Sequence, residues 1–205
     1  MRYFPRLFLL GAVLGGLVWW SPWQGLVDAM SVADGYRIYR GDDYRLAYPE
    51  NWQIRTGTNA EGHDYVEFNG PATPEGAYSG QVRVIRQDGW NHRLQDKLTQ
   101  FQTAAAVQHY QIVGSRTVTI EGAAEAHRFE VVRKIKALSG ASVSMRGSET
   151  FAVSEDGVLL AITAEAPEKQ QTQEQLPRVL DTVKISGKNR FAEQGWDPRN
   201  WFDLF

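Results

Sequence analysis

Cysteine is absent from the 205 residues of this chain. Its absence excludes disulfides, a thiol nucleophile, disulfide exchange and lipidation at a cysteine, so a domain exported from the cytoplasm must be held by its core alone. A dominant charge of one sign is lacking too. There are 22 Lys and Arg against 24 Asp and Glu, for a formal charge of −2. With no basic run anywhere, nucleic acid is excluded as an expected partner. Internal repeats and low-complexity stretches are missing. So are a Gly-x-Ser-x-Gly elbow, a His-Glu-x-x-His pair and a phosphate-binding glycine loop.

Chemistry-bearing residues are sparse. The four histidines, His63, His92, His109 and His127, are scattered without ligand spacing. His127 alternates along a strand beside Phe129 and Val131, where a satisfied or surface histidine is expected. His63-Asp64 beside Glu61 is the one local His-carboxylate cluster, a solvated loop tip first and a divalent-metal site only as the alternative. Asp42-Asp43 reads as a solvated turn. Glu165 and Glu168 bracket Pro167, where acids favour a helix start through its dipole. No catalytic, cofactor or metal residue is assigned, and the chain is expected not to be an enzyme. An enzyme would need Glu61, His63 and a further carboxylate to converge in a cleft.

The most prominent feature present is the N-terminus. Arg2 and Arg6 precede an uncharged run from Leu7 to Val27, closed by Asp28. Positive charges ahead of an apolar run hold the N-terminus in the cytoplasm and place the rest of the chain outside. A helix needs about 20 residues to cross ~30 Å of hydrocarbon, a length this run just meets. Ser21-Pro22 would end a regular helix early. Trp19, Trp20 and Trp23 sit at its outer end, where indole rings prefer the membrane-water interface. Gly11, Gly15 and Gly16 form a small face suited to packing against another transmembrane helix. The alternative is a signal peptide cleaved after Val27-Asp28-Ala29 or Ser31-Val32-Ala33.

About 170 residues remain beyond the run, enough for one domain. Tyr36-Tyr39 and Tyr44-Tyr48 alternate in period two around Gly41-Asp42-Asp43, a hairpin signal. Trp52 leads a short strand, and Tyr65-Phe68 and Gln81-Arg86 are separated by a Gly- and Pro-rich loop over 69–80. Asn91-Gln108 switches to helical spacing with Leu94, Leu98, Phe101 and Ala105 on one face. Alternation returns over Gln111-Glu121, Ala126-Ile135, Ser142-Val153 and Val158-Ala164, with Gly122 and Asp156-Gly157 at turns. A second helix runs from Pro167 to Val183, its stripe Leu176, Val179, Leu180 and Val183, with Pro177 kinking or restarting it. The pattern predicts an α+β fold, a twisted antiparallel sheet with helices packed on it, behind an N-terminal transmembrane helix.

The segment from Tyr44 to Trp52, Tyr-Arg-Leu-Ala-Tyr-Pro-Glu-Asn-Trp, resembles the x-x-Tyr-Pro-x-x-Trp opening of PsbP-like domains, named for the extrinsic oxygen-evolving protein of photosystem II. The order of elements is similar too, through Leu159-Leu-Ala-Ile-Thr-Ala-Glu-Ala-Pro167 and a last helix ending near Ile185-Ser186. Gly187 succeeds Ser186 where such families have a Ser-Phe type end. The resemblance covers about Tyr36 to Ser186. It implies an α-β-α sandwich, and a protein that is mostly non-enzymatic, exported or membrane-associated, often an accessory subunit of a larger membrane complex. It carries over no catalytic residues. The Tyr48-Pro49…Trp52 motif itself reads as scaffold, a proline ending a strand with aromatics capping the core.

Beyond that domain, residues 187–205 form an aromatic tail with Phe191, Trp196, Trp201, Phe202 and Phe205. Five of the seven tryptophans, Trp19, Trp20, Trp23, Trp196 and Trp201, lie outside the domain. Solvated tails are poor in aromatics, which are enriched at buried contacts and membrane interfaces. The parts are therefore an anchor over 1–28, a linker over 29–35, a sandwich over 36–186 and the tail. The expected protein is a non-catalytic, membrane-anchored extracytoplasmic accessory subunit. It would dock on an integral membrane protein complex, photosynthetic or electron-transferring by family analogy, and on membrane lipid. Trp19, Trp20, Trp23, Trp196, Trp201, Phe202 and Phe205 would form the docking contacts. A secreted or periplasmic module binding a small ligand or metal is the alternative.

Overall fold

The computed structural model describes residues 35–108, 110–137 and 139–185. The expected anchor, with Gly11, Gly15, Gly16 and Trp19, Trp20 and Trp23, lies outside the described residues, as does the tail with Trp196, Trp201, Phe202 and Phe205. Among the described residues no helix is long and apolar enough to cross a membrane.

Alternation sets the strands. β1 (Tyr36–Arg40) and β2 (Tyr44–Pro49) form the expected hairpin, with Tyr36 opposite Pro49 and Arg40 opposite Arg45. β3 (Gln53–Thr58), β4 (Asp64–Asn69) and β5 (Gln81–Gln87) come next as antiparallel neighbours. α1 (Leu94–Val107) leads to β6 (Gln111–Thr117), and then the long β7 (Ala123–Lys136) and β8 (Ser142–Ser154) pair along nearly their whole length. β9 (Leu159–Pro167), a 3₁₀ turn (Gln171–Glu174), α2 (Gln175–Asp181) and β10 (Lys184–Ile185) complete the chain. One sheet has seven strands in the order β3-β4-β5-β9-β8-β7-β6, and a smaller one has the order β1-β2-β10.

Each face of the large sheet carries its own core, so the domain is layered. On one face α2 and the small sheet bury Leu46, Tyr48, Trp52, Phe68, Val82, Val84, Leu160, Ile162, Leu176 and Val179. The helical stripe Leu176, Val179, Leu180 and Val183 is buried as its spacing predicts. Phe68 is fully buried, with Tyr39 edge-on at 5.2 Å and Tyr48 at 5.0 Å. On the other face α1 sets Leu94 and Leu98 against Phe129, Val131, Phe151 and Leu159. Each fully buried Leu, Val or Phe contributes about 1.5–3 kcal/mol.

Local chemistry explains the ends. The Arg93 backbone N–H donates to Asp96 at 3.2 Å, satisfying a donor ahead of α1 and placing an acid in its positive first turn. The second helix is shorter than the expected Pro167 to Val183, because Pro167 still belongs to β9 and a 3₁₀ turn precedes α2, which begins at Gln175 just ahead of Pro177. That proline is the third residue of α2, in a first turn where a missing N–H costs little. Gly122, at φ +83°, brings β10 in, because a Cβ there would lie 1.9 Å from the Ile185 carbonyl oxygen.

Candidate functional site

Polar side chains collect on both faces of the large sheet where the helices stop covering it. On the α1 face the cross-strand register puts Arg55, Glu67, Arg83, Thr163 and Glu149 in one row over β3, β4, β5, β9 and β8. Arg83 donates to Glu67 through Nε at 2.6 Å. Glu165 lies in the next row, opposite Gly147, and Arg133, whose own partner is Met145, reaches diagonally to it, its Nε 2.8 Å from Oε2 and its guanidinium 5.1 Å from the Tyr110 ring centroid. Gly147 is required there, since a Cβ would fall 2.0 Å from the Ala164 carbonyl oxygen. Glu149 is buried and accepts the Thr163 hydroxyl at 2.9 Å, with no cation paired to it among the described residues. Burial pushes its carboxyl up to about 8, and the charge of Glu165 adds to the rise.

The α2 face carries a different arrangement. Arg116 and Arg128 are direct cross-strand partners on β6 and β7, and Arg128 is opposite Thr150 on β8. Together with Arg146 they line a cavity of about 170 Å³ beside α2, which Glu130, Ser148 and Gln173 also line. Arg128 is only 8% exposed, and its Nε donates to Thr150 Oγ1 at 3.0 Å. Among the described residues no carboxylate lies within 4 Å of the Arg128 or Arg146 guanidinium. Arg116 has Glu130, at 3.9 Å and partly exposed. The contrast with Arg133 is informative. Burial disfavours the charge of both, but the hydrogen bonds and field of Glu165 outweigh it at Arg133, whose pKa rises. At Arg128 burial wins and the pKa falls, with Asp181 compensating only in part and Arg116 adding to the fall.

A second cavity, a cleft of about 410 Å³, opens between the β1-β2 and β3-β4 hairpins, beside Tyr39, Tyr44, Tyr65 and Arg86. Burial raises the Tyr44 hydroxyl above its ordinary pKa, helped by Tyr39. Asp43 corrects the reading of a solvated turn: it is 5% exposed and accepts Arg86 Nε at 2.6 Å, while Arg86 also pairs with Asp88 at 2.8 Å. Glu165 likewise serves no helix start, being buried in its pair with Arg133.

The residues singled out from sequence do not converge on one place. Glu61 and His63 approach to 3.9 Å at the exposed β3-β4 loop, where both backbone N–H groups donate to Asn59 Oδ1 at 3.0 and 2.8 Å. The nearby Asp64 carboxylate accepts the Thr58 hydroxyl, and among the described residues no group of three or more His, Asp or Glu side chains is placed to hold a metal. His127 meets Ser115 Oγ at 2.8 Å, and its ring packs tilted against Phe129 at 4.9 Å. Tyr48 and Trp52 pack into the core as scaffold. Sequence reasoning passed over Arg116, Arg128 and Arg146. The available signal was parity, because Arg128 shares its strand face with buried Ala126 and so points inward.

No protein-family model matches the chain, and neither does any curated protein. Solved structures do. Cyanobacterial PsbP (CyanoP) from Synechocystis sp. PCC 6803 superposes with a TM-score of 0.53 at 14% identity, over 76% of this chain and 95% of that one. A protein from Bacteroides thetaiotaomicron VPI-5482 gives 0.47 at 13% identity over 75% of this chain. The match spans about half of that protein, 49% of its length. LpqN of Mycobacterium tuberculosis, described as involved in cell envelope biogenesis, gives 0.46 at 14% identity, over 74% of this chain and 91% of that one. The fold is PsbP-like.

Proposed function

We propose that this PsbP-like domain is the extracytoplasmic part of a single-pass, membrane-anchored accessory subunit that docks on the outer face of an integral membrane protein complex. The observation that carries the reading is the uncharged run from Leu7 to Val27, ending in Trp19, Trp20 and Trp23, directly ahead of a sandwich of this fold. Charges at Arg2 and Arg6 orient such a run with the domain outside. Gly11, Gly15 and Gly16 offer a partner helix a close approach, and Trp196, Trp201, Phe202 and Phe205 supply a second attachment at the other end. The role is non-catalytic, and a photosynthetic or electron-transfer complex is the candidate host by fold analogy alone.

The test is topology together with intact mass. Full-length protein should float with membranes, resist carbonate extraction, retain residues 7–27, and be digested by protease added to the extracytoplasmic side. A soluble product beginning near Met30 or Asp34 would overturn the anchored reading. One observation favours the second reading, a ligand-binding module released by signal cleavage: the arginine-lined cavity on the α2 face, about 170 Å³, has the size and charge for a small anion.

A further inference from the structure

Arg116 and Arg128 face each other across β6 and β7 with no acid between them. Like charges directly opposite in a sheet are destabilising. Arg128 adds a second cost, because a guanidinium 8% exposed is desolvated and Thr150 is its one hydrogen-bonding side chain among the described residues. Three other buried acids of the domain are compensated by an arginine, Glu165 by Arg133, Glu67 by Arg83 and Asp43 by Arg86. The cluster on the α2 face is not. Three guanidinium groups share its cavity with one carboxylate, Glu130, which leaves two positive charges, and Asp181 at the end of α2 acts only from a distance.

We propose that Arg116, Arg128 and Arg146 form a binding site for a phosphate-type oxyanion, either free or as the headgroup of a phosphomonoester lipid. The charge matches, since a phosphomonoester carries about −1.5 to −2 at neutral pH. The geometry matches as well. Planar guanidinium forks donate pairs of parallel N–H bonds to phosphate oxygens. Three of them around one cavity suit a tetrahedral group better than a planar carboxylate. Ser148, buried in the same wall, offers a hydroxyl donor. Arg128 forms the fixed floor, braced through Nε on Thr150 so that its terminal N–H groups stay available, while the exposed Arg116 and Arg146 close over the bound group.

The experiment is calorimetric titration of the full chain in a non-ionic detergent with inorganic phosphate, against sodium chloride at matched ionic strength. A parallel titration uses short-chain phosphatidic acid below its micelle concentration. Saturable 1:1 binding is expected. The double variant Arg116→Gln/Arg146→Gln should weaken it by about tenfold or more without lowering the phosphate-free melting temperature, since both side chains are exposed and loss of the Arg116 charge relieves its contact with Arg128. Arg128→Lys, which keeps the charge and loses the fork, should weaken binding as well. Tighter binding of phosphatidic acid assigns the lipid source, and equal binding assigns free phosphate. Absence of saturable heat beyond the chloride control, or binding undiminished in the double variant, overturns the site. The assay needs neither membrane nor partner, so its outcome is independent of the accessory-subunit reading.

Discussion

Replacing Glu149 by Gln should make the protein more stable at pH 8 and change it little at pH 5. The Glu149 carboxyl is buried under the α1 face, and burial raises it from an ordinary 4.5 to about 8. Between those values the folded protein keeps a proton that the unfolded chain releases, so stability falls as pH rises through that window and levels off above it. Below about 4.5 both states are protonated and the penalty vanishes. At ~1.4 kcal/mol per pH unit, the full window from 4.5 to about 8 amounts to on the order of 5 kcal/mol. A glutamine at this position would be neutral throughout, and its amide oxygen can still accept the Thr163 hydroxyl that Glu149 accepts at 2.9 Å. Urea unfolding of wild type and Glu149→Gln at pH 5, 6.5 and 8 isolates this one group, because the other titrating groups are common to both. The stability gap should open in favour of the variant with rising pH, by about 2–4 kcal/mol at pH 8. A gap that stays constant from pH 5 to 8, or a variant less stable at pH 8, refutes a buried protonated carboxyl.

Arg133→Ala leaves Glu165 buried without its partner and should cost about 3–5 kcal/mol in chemical unfolding at pH 7, much of it recovered by Arg133→Met/Glu165→Gln. Gly122→Ala forces a left-handed residue and drives a Cβ into the Ile185 carbonyl. It should lose about 2 kcal/mol or more, with hydrogen-exchange protection of β10 lost first. Gly62→Ala, at φ +84° with open space around it, should cost only about 1 kcal/mol by thermal melting. Phe68→Ala empties the contact between Tyr39 and Tyr48 and should cost about 3–5 kcal/mol by urea unfolding.

Local pattern made most of the elements legible. The β1-β2 hairpin arises from alternation around Gly41-Asp42-Asp43, and the buried stripes of α1 and α2 arise from helical spacing. β10 was not legible, because two residues, Lys184 and Ile185, carry no period and pair with Tyr44, Arg45 and Glu121, all far away in sequence. β6 stops at Thr117, short of the expected Glu121, because the chain turns where Ala123 N–H reaches the Ile120 carbonyl at 3.0 Å. The charged residues were hardest to place. Alternation separates inside from outside only when one face is wet, and β7 and β8 are covered in part on both faces. Asp43 and Glu165 therefore read as surface acids, although their partners Arg86 and Arg133 lie 43 residues later and 32 residues earlier. The inward arginine at position 128 becomes visible as a site only once the register sets it beside Arg116.

Attachment of this chain to a membrane complex can be read from native co-purification. Full-length protein carrying a removable tag should be solubilised from its own membranes in mild detergent, resolved by native electrophoresis and identified by mass spectrometry. A stoichiometric integral membrane partner is expected, with peptides from residues 7–27 in the same band, and the partner should be lost when Trp196, Trp201, Phe202 and Phe205 are replaced together by Ser. Recovery of a lone, processed monomer would contradict it.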